Sequence, residues 1–295
     1  MTVWVDLLGT ETRFAGRKYR TRIVTAGQDH PDAVPLILLH GTGGHLENYA
    51  RNIAPLAQHF RVVALDFLWH GLSQVEPFDP EIIPTLVDQV IDLMDDVGIE
   101  RAAIEGQSMG GWVAMQLALR HPDRVAALVL TTTQGYVPDE GAIPGYAEPD
   151  WSANLPNTLE ALREPTFENI RTRMQRIVAD PERLTAEAIA IRQALYARPD
   201  LAKAQELFNV EYLGMGEASR AHSVTDAMAA QIVCPVLVYW GEKNRTPPAL
   251  GRHIAASVRH GTFHCADDTG HWAQFESAEE HNAVVTQFLI EQARR

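Results

Sequence analysis

The chain has 295 residues, of which 46% are hydrophobic and 21% are charged, the usual balance for a soluble globular protein. This length is long for one simple domain and short for two, so we expect one α/β core that carries an insertion. The formal net charge of -13 argues against a nucleic-acid partner, because phosphate binding requires a basic surface, and it also disfavours binding to an anionic membrane.

The first part of the sequence predicts strands and no targeting segment. Residues 1–6 lack a basic stretch followed by a long apolar one, so we expect no signal peptide and a cytoplasmic location. No apolar run reaches about 18 residues, the length that a membrane span needs. Residues 19–25 alternate polar and apolar side chains, which predicts an edge strand, and residues 35–39 are continuously apolar, which is typical of a strand buried on both faces.

After this point strands and helices alternate along the chain. The apolar spacing predicts helices over 48–57, 84–97 and 111–120, and strands over 61–65, 102–105 and 125–130. Gly98 marks the end of the second helix, as glycines after helices commonly do. This alternation predicts a mostly parallel sheet that is covered by helices on both faces.

The alternation stops near Gly135, and it resumes near residue 235. No strand is predicted over 136–225, where three amphipathic stretches predict helices over 167–178, 185–197 and 201–207. The second part of the core is predicted from strands over 235–240 and 261–266 and a helix over 278–292. We therefore predict an α/β core formed by residues 1–135 and 226–295, and a helical lid formed by residues 136–225. Such a lid would cover the carboxyl edge of the sheet, where ligands bind in these folds.

The pentapeptide Gly106-Gln107-Ser108-Met109-Gly110 is the most informative motif. It fits G-x-S-x-G, the nucleophile elbow, in which a serine occupies a sharp turn between a strand and a helix. Glycines are needed there because the strained turn leaves little room for side chains. The strand predicted before the motif and the helix predicted after it supply this context. We predict that Ser108 is a nucleophile; the alternative is a glycine-rich turn in which Ser108 only caps the helix.

A serine nucleophile needs a base and an oxyanion hole. His271 follows the last predicted strand, and we predict that it is the base; the alternative is a structural histidine. Two backbone N–H groups should form the oxyanion hole. One would come from Met109, directly after the nucleophile, and the other from Thr42 or Gly43 in the glycine-rich loop 40–44, with Thr42 favoured.

Other sites are not indicated by the sequence. Loop 40–44 lacks the lysine of a P-loop and the G-x-G-x-x-G spacing, so we do not expect it to bind phosphate. We expect no cofactor and no metal. Cys234 and Cys265 lie in apolar, strand-like surroundings, and we predict that both are buried free thiols.

Together these residues resemble the α/β-hydrolase superfamily, over most of the chain. Within it the chain is similar to the meta-cleavage product hydrolases, which hydrolyse a carbon–carbon bond in 2-hydroxy-6-oxo-dienoates from aromatic catabolism. The likeness rests on S-M-G-G at 108–111, G-H-W-A-Q-F-E at 270–276 and N-Y-A-R-N at 48–52. It implies an α/β-hydrolase fold with a mostly parallel eight-stranded sheet, helices on both faces and a helical lid inserted after strand 6. It also allows a homo-oligomer.

The resemblance further implies a set of substrate-binding residues. In the family an arginine of the lid binds the carboxylate of the dienoate, and Arg192 lies where that arginine would be. Three other arginines of the lid region compete for this role, namely Arg173, Arg176 and Arg183. The matching segments also imply substrate contacts, from Asn48, Trp272 and Gly41. The expected partner is therefore a small-molecule carboxylate.

The sequence departs from the family pattern at three places. Gln107 replaces the usual asparagine before the nucleophile, and the glycine-rich loop is shorter than usual. The third departure is Asn244, which stands where the family has the aspartate that orients the histidine. Asn244 can still orient His271 if its amide oxygen faces the ring, as in papain-like sites. Glu242 in the same loop, or an unidentified group such as Asp267 or Asp268, would be the alternative.

Three functions remain open at this point. The resemblance favours a serine-dependent hydrolase that cleaves a carbon–carbon bond in a ring-cleavage product. The changes at Gln107 and Asn244 instead favour a carboxylesterase, lactonase or amidase on the same scaffold. A non-catalytic homologue is the least favoured, because the serine, the histidine and the oxyanion loop are all present.

Overall fold

An eight-stranded sheet forms the centre of the protein, in a computed structural model that describes residues 2–30, 33–213 and 221–293. Its strands are β1 (Glu11–Ala15), β2 (Thr21–Ala26), β3 (Pro35–Leu39), β4 (Arg61–Leu65), β5 (Ala102–Gln107), β6 (Val125–Thr131), β9 (Val236–Gly241) and β10 (Gly261–Ala266). Two short strands, β7 (Tyr136–Val137) and β8 (Val224–Thr225), pair separately.

The strand order is β1-β2-β4-β3-β5-β6-β9-β10. Strand β2 runs antiparallel to β1 and β4, and all other neighbours in this sheet are parallel. The prediction of a mostly parallel eight-stranded sheet is thus confirmed. Strand β3 lies between β4 and β5, and its residues 36–39 are completely buried. Its continuous apolar run is therefore explained by helices that cover both faces.

Helices cover the sheet on both sides. The helices in the described ranges are α1 (Val3–Asp6), α2 (Ala50–Leu56), α3 (Ile82–Asp96), α4 (Met109–Arg120), α5 (Leu155–Arg163), α6 (Phe167–Met174), α7 (Ala186–Tyr196), α8 (Pro199–Leu213), α9 (Asp226–Ala229), α10 (Pro248–Ser257), α11 (Ala273–Glu276) and α12 (Ala278–Ala293). Apolar side chains of α3, α4 and α10 pack on one face, and those of α2 and α12 pack on the other. None of the helices in the described ranges is long and apolar enough to cross a membrane.

Several elements were missed from the sequence. Strand β1 lies at the edge of the sheet, where it pairs with β2, and four of its five residues are exposed. Because exposed positions need no apolar side chains, its sequence shows neither an apolar run nor an alternation. The expectation of no strand over 136–225 is wrong for β7 and β8, which consist of two residues each and form by pairing with one another. Helix α5 and helix α10 were also not predicted. Cys234 and Cys265 are free thiols, but only Cys234 is buried.

Helices α5 to α8, which we name the inserted helices, follow β6 and precede β9 in the chain. Helices α5 to α7 share an apolar cluster that includes Ile170, Met174 and Ile189, and Trp272 and Phe275 from the core join it. Helix α8 instead packs its buried apolar residues, among them Phe208, in the larger cluster of the core. The short strands β7 and β8 lie at the two ends of residues 136–225 and pair with each other. We retain the division into residues 1–135, 136–225 and 226–295 as a proposal that this pairing supports.

Candidate active site

Ser108 occupies the turn between β5 and α4, in a backbone conformation that few non-glycine residues adopt, with φ 56° and ψ -117°. Neighbouring glycines allow this turn. A Cβ atom at Gly106 would collide with the backbone of Gly110, and one at Gly110 would collide with the carbonyl of Leu39. Within the described structure the Ser108 side chain makes no capping hydrogen bond to α4. The alternative that Ser108 serves only as a side-chain cap is therefore not supported.

The His271 ring is oriented by Asn244. Their atoms Nδ1 and Oδ1 are 3.0 Å apart, and Asn244 is buried. The other end of the amide donates from Nδ2 to Thr246 Oγ1 at 2.8 Å, and the Thr246 carbonyl accepts from Trp240 Nε1 at 2.9 Å. The amide nitrogen thus faces Thr246, and the amide oxygen faces the ring. Nδ1 is then the protonated nitrogen of His271, and Nε2 keeps a free lone pair.

The backbone of His271 is held from a second direction. Its carbonyl accepts from Gln107 Nε2 at 3.1 Å and from Thr132 Oγ1 at 2.7 Å. Gln107 directly precedes Ser108, so one side chain couples the nucleophile turn to the histidine loop. The sequence showed Gln107 only as a departure from the family pattern, and it gave no signal for Thr132 or Thr246.

His271 is neutral at neutral pH, because burial lowers its pKa to about 4 and the charge of Arg245 contributes in the same direction. A neutral imidazole can accept a proton. Ser108 and His271 line the same cavity, although the described residues show no hydrogen bond between the Ser108 hydroxyl and this ring. Such bonds are often long in enzymes without substrate and shorten in the reacting complex.

The alternative orienting carboxylates are engaged elsewhere. Glu242 Oε2 accepts from the backbone N–H of Asp268 at 3.1 Å, and the Asp268 carboxylate pairs with Arg183 and Lys243. This cluster is exposed to solvent, with the Asp268 side chain 56% accessible. Asn244 is therefore the group that contacts His271 Nδ1, which leaves the ring without an adjacent carboxylate.

Loop 40–44 presents a candidate oxyanion hole. Within the described ranges the backbone N–H groups of Thr42 and Met109 have no hydrogen-bond acceptor. Gly43 differs, because its N–H donates to His70 Nε2 at 3.1 Å. The prediction of Gly43 as an oxyanion donor is therefore corrected in favour of Thr42. Burial lowers the pKa of His70 to about 3, which keeps that ring neutral and able to accept this bond.

A cavity of about 100 Å³ joins the core to the inserted helices. It brings together seven of the predicted residues, namely Gly41, Thr42, Asn48, Ser108, Arg192, His271 and Trp272. Asn244 lies behind His271, and Met109 and Gly43 do not line the cavity. Gly41 approaches the nucleophile so closely that a Cβ atom there would touch Gln107 and Ser108.

Four arginines line this cavity, namely Arg173, Arg176, Arg192 and Arg245, whereas none of its described lining residues is an aspartate or a glutamate. The excess of positive charge contrasts with the net charge of the whole chain, which is -13. Arg183, the fourth arginine considered from the sequence, lies outside the cavity and pairs with Asp268 and Glu276. The cavity therefore suits an anion.

Arg192 is the most buried of these arginines, with 1% of its surface exposed. It lies on α7, which begins after Thr185, whose hydroxyl accepts from the Ala188 N–H at 3.2 Å. Burial lowers the pKa of Arg192 to about 10, Tyr196 raises it, and Arg173 lowers it, so the group stays charged at neutral pH. In the part of the chain that the structure describes, Arg192 has no ion pair, and its Nε and Nη1 have no acceptor.

Burying such a charge without a partner costs about 3–5 kcal/mol. Other polar atoms around the cavity are also buried without a hydrogen-bond partner among the described residues. Among the described residues no partner is found for Arg173 Nε, Asn48 Oδ1, Thr42 Oγ1 or Trp272 Nε1, although all are buried. Buried polar groups normally have hydrogen-bond partners, so several unpartnered ones around a single cavity indicate that a polar ligand completes them. Over the described ranges no group of three or more histidine, cysteine or acidic side chains could hold a metal ion.

Comparison with known proteins agrees with this topology. Residues 34–278 match the family model for the alpha/beta hydrolase fold. The chain is 32% identical over 268 residues to a 2-hydroxy-6-oxononadienedioate/2-hydroxy-6-oxononatrienedioate hydrolase of Pseudomonas putida, which covers 87% of this chain and 88% of the relative.

Solved structures of related hydrolases have a similar fold. A 2-hydroxy-6-oxo-6-phenylhexa-2,4-dienoate hydrolase from Rhodococcus sp. strain RHA1 superposes with a TM-score of 0.79 at 26% identity, covering 97% of this chain and all of the other. An enol-lactonase from Burkholderia xenovorans LB400 superposes with a TM-score of 0.73 at 25% identity, covering 93% of this chain and 98% of that one.

Proposed function

This chain belongs to the alpha/beta hydrolase fold family, and from that premise we propose that it is a serine-dependent carbon–carbon hydrolase of 2-hydroxy-6-oxo-dienoates. The proposal rests on one observation above all. Arg192 is buried, charged and without a carboxylate partner among the described residues, and it lines the same cavity as Ser108 and His271. A substrate carboxylate would complete this charge while the rest of the molecule extends toward Ser108.

The remaining residues suit the chemistry of this reaction. Ser108 would attack the carbonyl distal to the carboxylate, or orient the water that does, and the N–H groups of Thr42 and Met109 would stabilise the oxyanion that forms. The dienol would first be ketonised by protonation at carbon 5, so that the electron pair of the cleaved carbon–carbon bond departs as a stabilised dienolate. His271 Nε2 would accept the proton of the nucleophile and later deliver it to this leaving group. Asn244 would hold the ring in the required tautomer. Asn48, Gly41 and Trp272 would contact the bound substrate.

The inserted helices would form the lid of this site. They contribute Arg173 and Arg192 to the cavity. The segment also contacts the histidine loop, because the backbone N–H of Trp272 donates to the carbonyl of Ile177, which lies between α6 and α7, at 2.9 Å. A lid that excludes water strengthens the electrostatic interactions of a charged substrate. We propose that residues 136–225 act together as this lid.

The test is the loss of the yellow dienolate absorbance when the protein is mixed with ring-fission products of catechols. We expect turnover by the natural sequence and a loss of at least about 10³-fold on Ser108→Ala. Ser257→Ala, on α10 and outside the cavity, is the matched control and should retain full activity. If no ring-fission product is consumed while simple aryl esters are, the proposal fails.

A lactonase or esterase is the second candidate. It is favoured by the similarity to the enol-lactonase and by Asn244, which leaves His271 without the charge that an aspartate supplies. Labelling of Ser108 by a fluorophosphonate, combined with faster turnover of enol-lactones or esters than of dienoates, would favour it. Any turnover that Ser108→Ala abolishes would exclude a non-catalytic homologue.

A further inference from the structure

Arg173 and Arg192 place two guanidinium groups at one end of the cavity. Arg173 lies on α6 and Arg192 on α7. The Arg173 guanidinium is 5.8 Å from the centre of the Tyr196 ring, and Tyr196 lies one helical turn after Arg192. Arg173 also reaches the oxyanion loop, since a Cβ atom at Gly43 would collide with its Nη2. Both arginines line the cavity together with Gly41 and Thr42 of loop 40–44, and the charge of Arg173 lowers the pKa of Arg192.

This pair of charges has no internal counter-charge. No ion pair joins either arginine to a carboxylate of the described residues, and no lining residue of the cavity is acidic. The buried Nε of Arg173 and the buried Nε and Nη1 of Arg192 also lack acceptors within these ranges. One carboxylate matches one guanidinium in a bidentate pair. A second guanidinium near the first can therefore pair with a second anionic oxygen of the ligand.

On the function proposed above, we infer that Arg173 binds the oxygen on carbon 2 of the substrate, beside the carboxylate that Arg192 binds. This end of the cavity then selects the dienolate, the form in which the oxygen on carbon 2 is negatively charged. The two oxygen-bearing carbons are bonded to one another, which matches two neighbouring guanidinium groups. The hydroxyl proton of the dienol is lost to water before binding, so no bond of the protein is made or broken.

A second carboxylate at the other end of the substrate fits this pair less well. In a dienoate that carries two carboxylates, several carbons separate them. The two remaining arginines of the cavity are exposed, and both already donate to Asn154 Oδ1, Arg245 at 2.9 Å and Arg176 at 3.4 Å. Arg173 instead lies against Gly43, and its charge acts on Arg192, the group that would bind the first carboxylate.

The experiment uses the Ser108→Ala variant, which holds the substrate without turnover, and the probe 2-hydroxy-6-oxohepta-2,4-dienoate. Absorption spectra of the bound probe are recorded over a pH series. We expect the dienolate band at pH values where the free probe is mostly dienol. Adding Arg173→Gln should raise the pH of half-ionisation of the bound probe by at least one unit, and Arg173→Lys should restore part of that shift. Arg171→Gln, an exposed change on the same helix, should leave it unaltered.

An analogue that lacks the oxygen on carbon 2 separates a direct contact from a structural effect. We expect Arg173→Gln to weaken binding of the full probe at least tenfold and to leave binding of the analogue unchanged, whereas Arg192→Gln weakens both. Equal weakening of both ligands by Arg173→Gln, or no spectral shift, would overturn the inference. Turnover by the natural sequence is measured first. Its absence overturns the proposed function and this inference together, whereas turnover without the shift overturns this inference alone.

Discussion

Two buried arginine sites of this protein are built in opposite ways. Arg22 on β2 is enclosed by carboxylates, pairing with Asp66 at 3.2 Å and with Glu47. Although burial raises the pKa of the Glu47 carboxyl, the hydrogen bond from His45 and the charge of Arg22 hold it well below its usual range. Arg192 is more deeply buried, with 1% of its surface exposed against 9% for Arg22, but it faces a cavity with no carboxylate among the described lining residues.

The comparison shows how a structural charge differs from a binding charge. The carboxylate of Asp66 also accepts from the N–H groups of Leu46 and Leu72, at 2.7 and 2.8 Å, so the Arg22 site is complete within the protein. The Arg192 site is complete only when a ligand supplies the negative charge. We expect stability to depend on the first site and activity on the second.

Arg22→Met should have the largest effect. It leaves the buried carboxylates of Asp66 and Glu47 without their counter-charge, which costs about 3–5 kcal/mol. Denaturant unfolding measures this loss, and the activity of each molecule that remains folded should be close to that of the natural sequence. A stable but inactive variant would contradict the structural assignment of Arg22.

Arg192→Met should show the opposite pattern. Loss of a charged contact to a bound carboxylate is expected to cost about 2–4 kcal/mol, which lowers kcat/KM by about 30- to 800-fold. Removing an uncompensated buried charge should leave the free energy of unfolding equal or raise it. Both quantities are measured on the same preparation. If the variant unfolds as readily as Arg22→Met, the contrast between the two sites fails.

Asn244→Asp tests the same contrast beside His271, by supplying the carboxylate that the site lacks. The neutral ring is the active base, so activity should be lost as the pH falls through the pKa of His271, which is about 4 in the natural sequence. An adjacent carboxylate favours the charged ring and should raise this midpoint by about 1–3 pH units. The pH profile of kcat/KM shows the shift. If the low-pH side of the kcat/KM profile is unchanged, His271 is not the group whose protonation limits activity.

Thr246→Val should have the smallest effect. It removes the acceptor of the Asn244 amide nitrogen, so the amide can turn its nitrogen toward the ring. Loss of one neutral hydrogen bond costs about 0.5–1.5 kcal/mol, and we expect kcat to fall by about 2- to 12-fold at unchanged KM. Thr262→Val, on the exposed end of β10, is the matched control. A change confined to KM would indicate that Thr246 acts on substrate binding instead.

The elements that were predicted correctly carry their information locally. Strand β3 is a continuous apolar run, and the elbow needs glycines at positions 106 and 110, two residues on either side of Ser108. His271 was found because it follows a recognisable last strand. By contrast, β1, β7 and β8 depend on pairing with other segments, and the bond of Gly43 to His70 joins residues that are 27 positions apart. Periodicity cannot report such contacts.

The sequence by itself determined the α/β class, the mostly parallel sheet, the candidate nucleophile and base, and the absence of an aspartate at position 244, because each of these is a matter of residue type and short-range spacing. Only the tertiary structure decided which groups meet. It turned the Asn244 oxygen toward His271, engaged Glu242 elsewhere, and brought Arg173 from α6 beside Arg192 on α7. The reason is physical: charge and hydrogen bonding act through space, and folding alone sets those distances.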